Sequence, residues 1–131
     1  MPKPTILLVD DEPHILNALE RSLHRLNYRI ITAGDGKSAL TILEQIPVEL
    51  LITDYRMPEM SGERLLEIVR QLYPNLLRLM LTGYSSLDEA QSIVERGLAQ
   101  RLIRKPWNED ELHSAISGIL QQDCIDNNYC E

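Results

Sequence analysis

Five short apolar runs alternate with five longer segments of helical period along the 131 residues, and the alternation predicts an α/β fold with an open, doubly wound parallel sheet covered by helices on both faces. Two further observations favour that class. Three of the runs are apolar almost without interruption, as suits strands buried on both sides. The connections are only a few residues long, which right-handed crossovers satisfy. At 15.0 kDa with 44% hydrophobic residues, the chain suits one domain and leaves no room for a second.

The first strand is expected at residues 5–9 (TILLV), followed by a helix whose stripe is Ile15, Leu19, Leu23 and Leu26. Residues 28–33 (YRIITA) alternate more, as an edge strand does, and precede a stripe at Ala39, Leu43 and Ile46. Residues 49–53 (ELLIT) form the third strand, before Leu65, Ile68, Val69 and Leu72; residues 77–81 (LRLML) form the fourth, before Ala90, Val94 and Leu98. Residues 101–103 open the last, alternating strand, and Leu112, Ile116 and Ile119 or Leu120 complete the pattern. Asp35, Ser61, Ser85 and Asn108 are the expected N-caps. Ser85 with Asp88 and Asn108 with Glu111 have the spacing of a capping box. Gly97 and Pro74 stand where helices should stop. From Gln121 the apolar stripe ceases, so the domain is expected over residues 1–120, with 121–131 a polar C-terminal tail or linker.

A formal charge of -7 and a pI near 4.9 argue against direct binding to nucleic acid or to anionic membranes, both of which need clustered Lys and Arg. No apolar run reaches the length of a membrane span, and the first residues do not resemble a secretory signal, so a cytoplasmic location is expected. Cys124 and Cys130 lie in the polar tail without a Cys or His cluster and read as solvated thiols. His14, His24 and His113 fall on polar positions of helices and read as surface residues.

In open α/β sheets ligands bind beyond the carboxyl ends of the strands, near the point where strand order reverses. After the first run come Asp10, Asp11 and Glu12; after the third, Asp54; after the fourth, Thr82 and Gly83; after the fifth, Lys105 and Pro106. A nucleotide or flavin phosphate site would put a Gly-rich loop in the first turn. The sequence there is VDDEP, which repels a bare phosphate and suits a hard cation. At ~5 Å and an effective dielectric of ~20, each pair of ionised carboxylates repels by roughly 3 kcal/mol. A retained proton or a bound cation must therefore compensate, and Mg²⁺ fits a few carboxylates plus water.

These residues, in ILLVDDEP, LLITDYRMPEMSG, LMLTGYSS and RLIRKPW, resemble the receiver (CheY-like) domain of bacterial two-component response regulators, over about residues 5–120. The resemblance implies a (βα)5 flavodoxin-like sandwich with strand order 2-1-3-4-5 and a role in phosphorelay signalling. Asp54 would accept a phosphoryl group from a sensor histidine kinase, a phosphotransfer protein or a small donor. Asp10, Asp11, Asp54 and the backbone carbonyl of Arg56 would hold Mg²⁺. Lys105 and the Thr82 hydroxyl would bind phosphoryl oxygens, and the Lys105–Pro106 bond would be cis. Arg56 and Tyr84 occupy positions that tune phosphoryl loss, and their bulk leads us to expect a moderately long-lived mark.

The family's switch aromatic, three residues before the lysine, is here Leu102, and Gly83 stands where Ala is frequent. Output would pass to an output domain or effector protein, and family members often dimerise through the face of the fourth and fifth helices. The LTGY and KPW forms are similar to receivers joined to cyclic-dinucleotide phosphodiesterase domains. The chain is thus expected to be a signalling domain and not an enzyme. The alternatives are a phosphate-independent interaction module, a Mg²⁺-dependent aspartyl phosphohydrolase, which would want Asp-x-Asp in the first turn, and a flavin carrier, which the acidic first turn disfavours.

Overall fold

The computed structural model describes residues 3–83 and 87–127, with Leu87 and residues 122–127 described by backbone alone. Tyr84, Ser85 and Cys130 lie outside the described residues, as does the side chain of Cys124. The elements alternate as expected: β1 (Thr5–Val9), α1 (Pro13–Leu23), β2 (Arg29–Ala33), α2 (Gly36–Gln45), β3 (Leu50–Asp54), α3 (Gly62–Leu72), β4 (Leu77–Thr82), α4 (Leu87–Glu95), β5 (Arg101–Arg104) and α5 (Glu109–Asn127). The five strands form one parallel sheet in the order β2-β1-β3-β4-β5. The two alternating runs, β2 and β5, are its edges.

The period-two geometry of the strands sorts the core into two faces. Leu7, Val9, Leu51 and Met80 point to the side covered by α2, α3 and α4, against Ala39, Leu43, Leu65, Val69 and Ile93. Ile6, Leu8, Leu50, Ile52, Leu79, Leu81 and Ile103 meet Leu19 and Leu23 of α1 and Leu112, Ala115 and Ile116 of α5. Ile6, Leu7, Leu8, Leu50 and Leu51 are fully buried, each worth about 1.5–3 kcal/mol relative to exposure. That continuous apolar run is what holds β1 and β3 at the centre.

Local chemistry sets the helix ends. Asp35 and Ser61 accept hydrogen bonds from the N–H groups of Ser38 and Arg64, at 2.7 and 3.1 Å. Asn108 accepts from Glu111 N–H at 3.0 Å, the N-cap half of the expected box. Gly97 ends α4 at φ 76°, with Leu98 N–H bonded to the Ile93 carbonyl and Gly97 N–H to that of Val94, a Schellman closure that favours glycine.

Several expectations need correction. Leu72 is 62% exposed and Val94 39% exposed. Leu72 closes α3 at the rim of the sheet, and Ile93 takes the inward place on α4 that Val94 was assigned. His113 is half-buried, its Nε2 2.7 Å from the Ser22 carbonyl. The backbone of α5 continues to Asn127, through residues read as tail, since Gln121 to Asn127 contain no Gly or Pro to stop it. Among the described residues no helix is long and apolar enough to cross a membrane.

Candidate functional site

The strand order reverses between β1 and β3: the chain leaves β1 for β2 on one side and returns to β3 on the other. Asp10 follows β1, Asp54 ends β3, Thr82 ends β4 and Lys105 follows β5. The parallel register therefore delivers all four to one end of the sheet.

Asp10, Asp11 and Asp54 each offer a carboxylate oxygen within 4.8 Å of the others. Asp10 is 1% exposed and Asp54 7%, whereas Asp11 faces solvent. Lys105 Nζ lies 2.8 Å from Asp54 Oδ1 and 3.2 Å from Asp10 Oδ2. The other oxygen of Asp10 accepts from Glu12 N–H at 2.9 Å, which fixes the rotamer of the carboxylate. Burial pushes the Asp54 carboxyl above its ordinary value of 3.8, and the Lys105 ammonium offsets this only in part. Burial also works against the charge on Lys105, yet the carboxylates of Asp54 and Asp10 outweigh it and raise the ammonium above its ordinary 10.5.

Three carboxylates against one ammonium leave a local excess of negative charge on an all-oxygen donor set. A divalent hard cation such as Mg²⁺ fits it, with the exposed Asp11 side left for water or a phosphoryl oxygen. Thr82 is fully buried, and among the described residues its hydroxyl donates to the Gly83 carbonyl, at a long 3.4 Å. The Lys105–Pro106 bond is cis.

The Arg56 guanidinium is directed toward α4. It pairs with Glu89 in the first turn of α4 at 3.2 Å and lies 5.8 Å from the centre of the Tyr55 ring. The Tyr55 hydroxyl also donates to Glu89 Oε2, at 3.3 Å. The segment after Asp54 is thus tied to α4. Leu102 is half-buried against the α2–α4 core, packed as an aliphatic residue. A surface groove at the other end of the sheet, between the ends of α2 and α3, contains none of these residues.

Sequence reasoning missed two contributors. Gly62 opens α3 directly against the Asp54 backbone: a Cβ there would stand 2.9 Å from the Asp54 carbonyl carbon and closer still to its oxygen. Its position at the end of MPEMSG was the available signal. Glu89 was invisible because its partners lie over thirty residues away.

Fold and site together define a doubly wound α/β domain with a lysine-bridged carboxylate triad at its topological switch point. The family model for the response regulator receiver domain matches residues 6–117. The chain belongs to that family, whose members act in two-component signalling.

It is 33% identical over 117 residues to the transcriptional regulatory protein GlrR of Escherichia coli K12, covering 89% of this chain and 26% of that protein. The chain therefore spans about a quarter of the length of this relative. Among solved structures it resembles the signal receiver domain of an HD domain-containing protein from Pseudomonas fluorescens Pf-5 (35% identity, TM-score 0.87, covering 92% of this chain and 97% of that one). It also resembles a CheY-like receiver domain from Methanospirillum hungatei JF-1 (30% identity, TM-score 0.87, covering 95% and 98%).

Proposed function

We propose that Asp54 is the phosphoacceptor of this receiver. The observation that carries the reading is the Lys105 ammonium, 2.8 Å from Asp54 Oδ1 and bridging to Asp10. An Asp54 carboxylate oxygen attacks the phosphorus of a phosphohistidine on a sensor kinase or phosphotransfer protein, or of a small donor such as acetyl phosphate. The new bond is O–P; the P–N or P–O bond to the donor breaks, and its electron pair leaves with imidazole or acetate.

Phosphoryl transfer asks a protein mainly for positioning and for positive charge near the equatorial oxygens. Lys105 supplies one charge and moves from a carboxylate to a phosphoryl oxygen. Asp10, Asp11, Asp54 and the backbone carbonyl of Arg56 would hold Mg²⁺, which when bound supplies the rest. The Thr82 hydroxyl exchanges its long bond to Gly83 for a phosphoryl oxygen. Only phosphorylation and slow self-dephosphorylation are expected, without turnover of an external substrate, and Arg56 and Tyr84 set the rate of loss.

Output then passes from Thr82 into α4, which Glu89 joins to Tyr55 and Arg56, and not through an aromatic at position 102. Residues 1–120 act as the receiver, and the continuation of α5 leads toward an output domain or effector. A homodimer through α4 and α5 and a cytoplasmic setting belong to the same reading. The test is incubation with Mg²⁺ and acetyl phosphate. One phosphoryl group should be added, stable to acid and labile to base, and Asp54→Asn should abolish it. A folded protein that acquires no adduct from any donor contradicts the reading.

A further inference from the structure

Lys105 is the cation that reaches both Asp10 and Asp54, and its aim depends on a short loop between β5 and α5. On one side the loop is tied to β4, by Lys105 N–H to the Thr82 carbonyl at 2.8 Å. On the other side stands Trp107, half-buried against the α1–α5 core. Its indole Nε1 donates to the Ser22 hydroxyl of α1 at 3.1 Å. Ser22 in turn donates to Glu109 Oε1 at 3.0 Å, and His113 Nε2 donates to the Ser22 carbonyl at 2.7 Å.

Three hydrogen bonds from the loop and the first turns of α5 thus converge on one residue of α1. A hydroxyl that accepts from an indole and donates to a carboxylate is polarised in both directions, which strengthens each bond. α1 follows directly on Asp10 and Asp11, so this knot fixes the lysine loop in the frame of the element that carries the acidic turn.

We propose that Trp107, anchored on Ser22, is a positioning residue for Lys105: it holds the ammonium over Asp54 so that it meets the incoming phosphoryl group. The proposal rests on the phosphoacceptor reading of Asp54. Loss of one such hydrogen bond should slow transfer roughly fivefold, the rate equivalent of a net hydrogen bond.

The experiment uses the full chain with Trp107→Phe, which keeps the aromatic volume but lacks the N–H, and Ser22→Ala, which removes the hydroxyl that accepts from Trp107 and donates to Glu109. The rate of adduct formation from acetyl phosphate is measured beside Mg²⁺ affinity without donor, each in the native and Lys105→Ala backgrounds. Both variants should slow phosphorylation while leaving Mg²⁺ affinity unchanged, because the acidic ligands are untouched. The double variant should be no slower than the slower single variant, and Ser22→Thr should restore the rate. In Lys105→Ala neither substitution should cost anything further.

Rates equal to the wild type overturn the proposal, as does an equal loss in the Lys105→Ala background, or a fall in Mg²⁺ affinity by the same factor. If Trp107→Phe does not fold, Ser22→Ala carries the test. Failure of the wild type itself to label would instead overturn the Asp54 reading, and this proposal with it.

Discussion

Replacing Gly62 by alanine should damage the end of β3 that carries Asp54 without changing any charge. An added Cβ would lie 2.9 Å from the carbonyl carbon of Asp54, inside contact distance of its oxygen, and 3.1 Å from Cε of Met80. The Met80 methyl group can yield. The carbonyl cannot easily do so, because its oxygen accepts from Thr53 Oγ1 at 3.1 Å while Gly62 N–H donates to the neighbouring Tyr55 carbonyl at 2.9 Å. The start of α3 and the end of β3 must therefore part by roughly 1 Å, an overpacking cost of about 1–3 kcal/mol. For a domain of this size that lowers the Tm by roughly 4 °C per kcal/mol, hence by about 4–12 °C. A carboxylate displaced by about 1 Å should also accept the phosphoryl group on the order of 100-fold more slowly.

Calorimetry and the acetyl phosphate rate measure both effects. Gly118→Ala is the control, since nothing stands within 4 Å of a Cβ there, and alanine in the body of α5 should stabilise by up to about 1 kcal/mol. An unchanged Tm and rate for Gly62→Ala would refute the reasoning.

Arg78 is 5% exposed, and its guanidinium donates to the carbonyls of Leu98, Leu76 and Gly97 at 2.7, 2.8 and 3.4 Å. Arg78→Met should strand these carbonyls, two just after α4 and one just before β4, and cost roughly 3 kcal/mol in urea unfolding. Glu59 adopts φ 68° in the turn after Asp54, so Glu59→Gly should raise the unfolding midpoint by relieving about 1 kcal/mol of strain. For Lys105 the folded pKa lies above the ordinary 10.5, the carboxylates of Asp54 and Asp10 outweighing burial. Its stabilising contribution is therefore complete below that value and lost as pH rises through the folded one. Without metal, the stability gap between wild type and Lys105→Met should narrow over that alkaline range; a constant gap would show that the ammonium does not stabilise the fold.

Much of the architecture was legible because apolar continuity and alternation report how many faces of a strand are covered. TILLV and ELLIT took the central positions, while RIITA and RLIR took the edges. The site was legible because parallel strands end at the same level, so Asp10, Asp54, Thr82 and Lys105 could be grouped without knowing a distance. Helix faces were less so: a 3.6-residue period let Val94 or Ile93 turn inward, and only packing on the sheet chose Ile93. Long-range partners left no sequence signal at all. Trp107 reaches Ser22 across 85 residues, and what Gly62 meets first is the Asp54 backbone, whose position depends on the fold and not on the side chain at residue 54.

Trapping the acyl phosphate with borohydride, which reduces a phosphorylated aspartate to homoserine, tests the central claim most directly. After incubation with acetyl phosphate and Mg²⁺, peptide sequencing should find homoserine at position 54 and aspartate intact at positions 10 and 11. Homoserine at position 10 or 11, or at none of the three in a folded protein, would contradict the account.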